Sequence, residues 1–512
     1  MRKIAVLLIF TFLVNCKDDV EPVGNSNGDG IATPYEITQI SFKADLNATL
    51  FEDIVLNFDG VEFFTGVLPY GVDIKNLIPS IVTSPENGFI KLDEINYQNN
   101  TTSYNFSKEV NVDIFNSDQT DYWRYKIRLT YFTGLPIISI DTDNIPVDSR
   151  DFYVSGELDL FGGLIFDDID MSSILIRGRG NSTWFNPKRP YQIKFDTKTS
   201  ILGLPEDRKW VLLAEYSDKS LMRNKIAYEM GAISSLDYTP KGEYVEVFLN
   251  NNHLGTYLFA QKVEESSNRV NIGDEGYLIE IDQDYRVDPD DVFFTPTIFT
   301  QEYSSNVFNI KAPNISYDTP EFTLIEDHIN NFEAVLFSSD FTNPDIGYRS
   351  YIDINSFVDW FLINEIAKTV DARWYSSIYF TYIPGGKIKM GPIWDFDLSF
   401  GNVNYADSQY TEGYWIKYNP WFSRMFEDPY FENLVIERFD FYYQNLDNFN
   451  SKIDEFSSYL SVSQSYNYDI WQTLGTYVWP NPVWFDTHQE EVDYVKQWLL
   501  ARMNWLNQEF GF

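Results

Sequence analysis

The 512-residue chain has one cysteine and three histidines. With Cys16 alone, no disulfide can close within the chain, so stability rests on packing. His253, His328 and His488 lie far apart and lack zinc-ligand spacing, which argues against a zinc hydrolase. No Gly-x-Ser-x-Gly occurs, so a nucleophile-elbow triad enzyme has no support. Basic residues are scarce: 38 Lys and Arg stand against 76 Asp and Glu, a formal charge of −38. Such a surface repels nucleic acid and anionic lipid headgroups, and neither is expected as a partner. A phosphate-binding enzyme of this composition must concentrate its few cations locally. Apolar runs are short as well. After the first sixteen residues none is long enough to span a bilayer as a helix.

Residues 1–15 read as a signal peptide, with Arg2 and Lys3 ahead of the apolar run from Ile4 to Leu13. Leu13-Val14-Asn15-Cys16 resembles a bacterial lipobox, in which Cys16 would become the lipidated N-terminus. The other reading is an ordinary signal peptide with an incidental cysteine. Lys17-Asp18-Asp19 resembles the surface-export signal of Bacteroidota lipoproteins. Together these resemblances imply a lipid-anchored, surface-exposed outer-membrane protein that touches the membrane only through its lipid. Residues 16–34 are rich in Asp, Asn, Gly and Pro and are expected to be a flexible tether.

Residues 35–133 carry short alternating segments between turn signals: Ile37–Phe42, Asp53–Phe58, Val110–Ile114 and Tyr125–Tyr131. Aromatic and β-branched residues dominate and helical periodicity is missing. The pattern predicts a small all-β, immunoglobulin-like sandwich. It resembles the N-terminal modules of Bacteroidota surface lipoproteins, with a spacer or adhesive role. Residues 134–512 form a second domain, strand-rich at first with a helix around Leu221–Met230, and helical from Ile352 onward. Val492–Leu506 reads as an amphipathic helix whose Trp and Tyr stripe belongs to a core.

The chemistry concentrates in Gly391-Pro-Ile-Trp-Asp-Phe-Asp-Leu-Ser-Phe-Gly401. Read as a strand, it puts Asp395 and Asp397 on one face and Trp394, Phe396 and Leu398 on the other. Two like charges on one face call for a cation between them or basic side chains opposite; the alternative is a solvated strand edge. Upstream, Arg177-Gly-Arg179-Gly-Asn181-Ser182 is a Gly/Arg loop suited to phosphate oxygens, or a turn whose arginines pair with surface carboxylates. It lacks both Gly-x-Gly-x-x-Gly and the Walker lysine. Lys194 follows on a strand, and Glu229 lies on the next helix, as a partner for Lys194 or for Lys225 at i,i+4. Glu280 and Asp282 share a strand face. The acidic run Asp282–Asp291 is a solvated loop or a calcium site.

Arg-Gly-x-Gly-Asn-Ser-x-Trp, Leu-Gly-Leu-Pro-x-x-x-x-Trp-Val-Leu, Leu-x-Arg-Asn-Lys and Pro-x-Trp-Asp-x-Asp-x-x-x-Gly recur in this order. Over roughly residues 135–505 the chain resembles the spore-coat protein H (CotH) family of atypical protein kinases. The resemblance implies an α+β, kinase-like bilobal domain with a strand-rich N-lobe and a helical C-lobe. It implies binding of ATP with Mg²⁺ or Mn²⁺ and phosphorylation of Ser or Thr on a protein acceptor. The order of parts then assigns roles. Arg177, Arg179, Asn181, Ser182 and Lys194 hold phosphate, with Glu229 orienting Lys194, and Glu280 and Asp282 lie at the lobe junction. Asp371 is the general base, and Asp395 and Asp397 bind metal. Five residues after Asp371, where the family often has Asn, stands Ser376, a poorer metal ligand. Two other readings remain. One is a catalytically inactive surface binder of host ligands or glycans, suggested by the 17% aromatic content. The other is a structural Ca²⁺ site at the aspartates.

Overall fold

The protein is described by a computed structural model covering residues 35–511, apart from 51–52, 70, 87, 164 and 298–303. The signal segment, Cys16 and the tether lie outside the described residues. Two compact units divide between Thr133 and Gly134.

The first unit is all-β but for the 3₁₀ turn Ile74–Asn76. A three-stranded sheet orders Ile54–Val55, Glu36–Phe42 and Pro79–Ser84. A six-stranded sheet runs Asn57–Phe58, Phe63–Leu68, Tyr122–Tyr131, Val110–Phe115, Phe89–Leu92 and Ile95–Asn96. The segment expected as one strand over 53–58 therefore breaks at Leu56 and serves both sheets. Phe63–Leu68 runs parallel to Tyr122–Tyr131. The alternation in Val110–Phe115 has one exception, the buried Asp113. Its carboxylate accepts from Nε and Nη2 of its cross-strand neighbour Arg124, at 2.7 and 2.9 Å, so the charge is not stranded.

The second unit opens with a closed seven-stranded barrel. Its strands are β1 (Ile137–Asp141), β2 (Val154–Phe161), β3 (Ile169–Gly178), β4 (Tyr191–Ile201), β5 (Leu204–Leu213), β6 (Gly242–Leu249) and β7 (Asn252–Gln261). They close in the order β1-β2-β3-β4-β5-β7-β6, with β6 parallel to β1. Closure leaves no open edge. Alternate residues such as Ile174, Ile176, Ile193, Phe195, Trp210, Leu212, Tyr257 and Phe259 fill the interior. The odd-numbered Arg177 and Arg179 and the even-numbered Gln192 and Lys194 consequently face outward. Asn250 and Asn251, at φ 49° and 60°, make the tight β6–β7 turn. Helix α1 (Arg223–Ala232) joins β5 to β6.

A five-stranded antiparallel sheet follows: β8 (Tyr277–Gln283), β9 (Val292–Phe294), β10 (Asn306–Ala312), β11 (Ile378–Tyr382) and β12 (Lys389–Met390), ordered β9-β10-β8-β11-β12. Helices α2 (Pro320–Leu336) and α3 (Ile354–Ala367) lie within its sequence span. Five more follow: α4 (Pro420–Met425), α5 (Pro429–Gln444), α6 (Leu446–Tyr459), α7 (Ser463–Trp471) and α8 (His488–Glu509). From Ser356 to Ala367, α3 is buried on every side. Its charges are matched, Asp359 by Arg438 at 2.7 Å and Glu365 by Arg502 at 2.6 Å. Helix α8 starts at a Thr487–Glu490 capping box, four residues before the expected helix, and buries Val492, Val495, Trp498, Leu499 and Leu506. Among the described residues no helix is long and apolar enough to cross a membrane.

Candidate active site

The Gly391–Gly401 segment is not a strand. β12 ends at Met390, and the chain then runs irregularly with Asp395 in the left-handed region at φ 71°. The physical reason is the hydrogen bonding. The Phe396 N–H donates to Oδ1 of Asn224 at 2.8 Å, where a strand would donate to a neighbouring backbone. The separation of faces survives only in part without the strand: Trp394 and Phe396 are buried, while Leu398 is half-buried like Asp395 and Asp397.

Asp371 starts a short 3₁₀ turn after α3. Ser376 Oγ donates to its Oδ2 at 3.3 Å, and Ser377 Oγ donates to Asp395 Oδ2 at 3.3 Å. Ser376, expected near the metal, is thus spent on Asp371, and the neighbouring serine serves Asp395. Burial, and after it the Asp395 charge, push the Asp371 carboxyl up to about 7. Burial and then Asp395, Glu215 and Asp371 push Asp397 well above the carboxylate range. Asp371, Asp395 and Asp397 therefore lie close enough to repel one another. Among the described residues no three His, Cys, Asp or Glu side chains already converge as a ready-made metal cage. A divalent ion held by two carboxylates, phosphate and water does not require one.

The Gly/Arg loop supplies one cation. The Arg179 guanidinium lies over the Trp394 ring at 5.5 Å and is attracted by Asp395 and Asp397, although burial works against its charge. Arg177 instead lies over Tyr153 at 4.7 Å. The Asn181 amide sits between the guanidinium groups of Arg150 and Arg286, and Ser182 is exposed. Gly178 is required for packing: a Cβ there would come within 2.1 Å of the Trp184 ring, which links the first and last members of this motif.

The expected Lys194–Glu229 pair does not form. Among the described residues neither side chain makes a hydrogen bond or ion pair with the other. Lys194 lies beside Lys209 on the barrel's outer face. Lys225, the other expected partner of Glu229, donates to the Gly242 carbonyl and pairs with Glu243 at 3.3 Å. α1 buries Lys225 against the barrel, so the solvent-face i,i+4 geometry never arises. A further cation in the field of Arg179 is Lys262, just past β7. Burial brings its ammonium down to about 8, and Lys209, Lys311 and Arg179 lower it further against the pull of Glu264. Among the described residues that ammonium makes no hydrogen bond.

Glu280 and Asp282 line one face of β8. The Tyr379 hydroxyl donates to Glu280 Oε1 at 2.7 Å, and burial pushes Glu280 up to about 7. Asp282 pairs with Arg286 at 3.2 Å, and Arg286 in turn feels Asp371 and Asp395. Lys311 pairs with Asp291 at 3.1 Å. Asp282 and Asp291 at the ends of the acidic run are answered by Arg286 and Lys311, while Asp284, Asp288 and Asp290 between them are exposed, as a solvated loop would have them. Sequence reading missed Lys262, Arg286 and Glu215. Only Arg286 left a trace, four residues after Asp282.

Behind the carboxylates, Glu215 is buried and pushed up to about 8, chiefly by burial and the nearby Asp218. Asn224 Nδ2 donates to both its oxygens, at 3.0 and 3.3 Å. Arg223 donates to the carbonyls of Ser399 and Phe400, and Asn402 Nδ2 donates to those of Asp397 and Ser217. The Leu-x-Arg-Asn-Lys motif thus grips the aspartate loop.

Residues 65–129 match a domain of unknown function described as the DUF6242 N-terminal domain. A search of curated proteins returned no match. A crystal structure described as a "putative glycoside hydrolase" from Bacteroides thetaiotaomicron aligns at 10% identity over 59% of this chain and 89% of that one; its TM-score of 0.16 is too low to bear on the fold. Residues 176–506, more than half of the chain and including every motif of the site, match the family described as CotH kinase protein, and the chain belongs to that family.

Proposed function

We propose that the second unit is a kinase-like lobe pair that transfers the γ-phosphoryl group of ATP to Ser or Thr hydroxyls of a protein, with Mg²⁺ or Mn²⁺. The observation that carries this reading is the crowding of Asp371, Asp395 and Asp397, with Arg179 and Arg286 in their field and Lys262 near Arg179. Carboxylates that repel one another fit a divalent cation, and half-buried cations beside them fit a triphosphate. A metal held by Asp395 and Asp397 would supply charge neutralisation on the β- and γ-phosphates. Asp371, poised at about 7, suits a general base that accepts the acceptor hydroxyl's proton. Arg179 and Lys262 orient phosphate oxygens, and the Trp394 ring packs under Arg179.

The test uses purified full chain, Mn²⁺ or Mg²⁺, labelled ATP and a generic Ser/Thr acceptor. Wild type is expected to incorporate label and the Asp395→Ala/Asp397→Ala variant only background; equal labelling would sink the proposal. In the same assay Lys262→Met is expected to raise KM for ATP about tenfold or more, the loss of a charged hydrogen bond. Lys194→Met is expected to change it less than about twofold, as a surface substitution away from the ligand.

The surface address belongs to the same proposal, with the first unit as spacer or adhesive module and Cys16 as the lipidated residue. Cys16→Ala is then expected to move the protein from the membrane fraction to the soluble one; unchanged fractionation would remove the anchor. A binding role is favoured by one observation. Tyr405 and Trp479 stack at 6.1 Å yet remain exposed, and Tyr405 feels the charge of Asp371 and Asp397. Ligand retention in the absence of any phosphotransfer would support it.

A further inference from the structure

We infer that Asn224 is the positioning residue that fixes the aspartate loop, and that Glu215 sets which way its amide points. The inference deepens the kinase reading, because the loop it fixes is the one proposed to hold the metal.

Asn224 hydrogen-bonds α1 to the centre of that loop, beside the Tyr228 ring that stacks on Trp394 at 6.3 Å. Its Oδ1 accepts the Phe396 N–H at 2.8 Å, between the two aspartates. An amide turned the other way would set Nδ2 against that N–H, donor against donor. Glu215 favours this orientation, since Nδ2 reaches both of its oxygens, at 3.0 and 3.3 Å, and a turned amide would give up that pair of bonds. Asn224 is 3% exposed and Glu215 7%, so water competes poorly for either bond. Glu215 itself stands in the left-handed region at φ 50°, as Asp395 does at φ 71°. Two non-glycine residues held there need surroundings that over-determine them, and each lies one bond from Asn224. The flanks of the loop are tied separately, through Arg223 to Ser399 and Phe400 and through Asn402 to Asp397. Asn481 completes the frame by donating to Asn402 Oδ1 and the Ser217 carbonyl, both at 2.8 Å. The frame sets where the loop enters and leaves. Asn224 sets the rotation of the Asp395–Phe396 peptide, and with it the direction of the two carboxylates.

A reciprocal swap tests this. In Asn224→Asp a carboxylate faces Glu215, and the arrangement loses its donor. In Glu215→Gln/Asn224→Asp a donor is restored from the opposite side, while the Phe396 N–H keeps an acceptor. Amide hydrogen exchange at Phe396 is measured in the metal-free full chain, and Mn²⁺-ATP stabilisation is followed by melting temperature. Asn224→Asp is expected to speed Phe396 exchange about tenfold, because repulsion from Glu215 swings the new carboxylate off the Phe396 N–H, and to weaken Mn²⁺-ATP stabilisation; the swap recovers both. Where Asn224→Asp does not fold, Asn224→Ser replaces it, since its short side chain cannot bridge both partners. Unchanged exchange in the single variants, or a folded swap that fails to recover it, overturns the inference. Recovery of exchange in a protein that never binds Mn²⁺-ATP, wild type included, upholds Asn224 as the pin and removes the kinase reading instead.

Discussion

Asp397→Asn is expected to abolish stabilisation by Mn²⁺-ATP and, in the same experiment, to raise the melting temperature of the metal-free protein. Both effects have one cause. The Asp397 side chain is half-buried and stands near Asp395, Glu215 and Asp371; desolvation, and then those charges, hold it well above the carboxylate range. A carboxyl held that far up prefers its uncharged form. Asn is neutral and nearly the same shape, so the metal-free fold gains from the exchange. The same exchange removes a negative ligand from the proposed metal site and, with it, stabilisation by mass action. A site selected for stability alone would not show this opposition. Thermal denaturation with and without Mn²⁺-ATP measures it. A fall in the metal-free melting temperature would mean that the carboxylate already has a favourable partner. Undiminished Mn²⁺-ATP stabilisation would remove Asp397 from the metal site.

The metal-free protein is expected to lose stability as pH rises from about 4.5 to about 7, and divalent metal is expected to reverse much of that loss. Burial first, helped by neighbouring charge, raises Asp371 and Glu280 to about 7 and Glu215 to about 8. A carboxyl raised on folding favours the folded state while protonated. That advantage is complete below the unfolded values, near 4, and fades as pH climbs through the folded ones. Above about 7 the sign changes for another class. Lys188 and Lys262, lowered by burial to about 7 and about 8, cost stability while charged, and that cost declines as they deprotonate. The diagnostic window therefore closes at about pH 7. Chemical denaturation at pH 5 and pH 7, each with EDTA or Mg²⁺, gives the comparison. Equal stabilities at the two pH values with EDTA would show that these carboxylates are paired in a way the static structure does not contain. A Mg²⁺ effect as large at pH 5 as at pH 7 would place the ion elsewhere.

Much of the architecture could be read without coordinates because it rests on local rules. The period-2 runs became strands and the 3.6-period runs became helices. Val492–Leu506 lies inside α8, and Ile354–Ile366 inside α3. The hairpin at Asn250-Asn251 follows from two residues that tolerate positive φ. The failures share a cause. The stretch from Trp394 to Leu398 alternates as a strand does, but a strand also needs a neighbour, and Phe396 is taken by a side chain 172 residues earlier in sequence. By parity Lys194 shares a face with Gln192, and the barrel turns that face outward, with Ile193 and Phe195 inside. Parity says which face a residue takes, and it does not say how far along that face the cleft lies. Lys262 carries no mark in the sequence, and Arg286 only its spacing from Asp282, because their significance is burial beside other charges.

The sequence by itself determined the order of elements, the family and the identity of Asp371, Asp395 and Asp397 as candidates, because periodicity and ordered motifs are properties of the chain. Tertiary structure alone decided which cations face those carboxylates, which serines are spent on holding them, and what Asn224 does. Desolvation and Coulomb interaction depend on distance through space, and barrel closure brings together residues that are far apart along the chain.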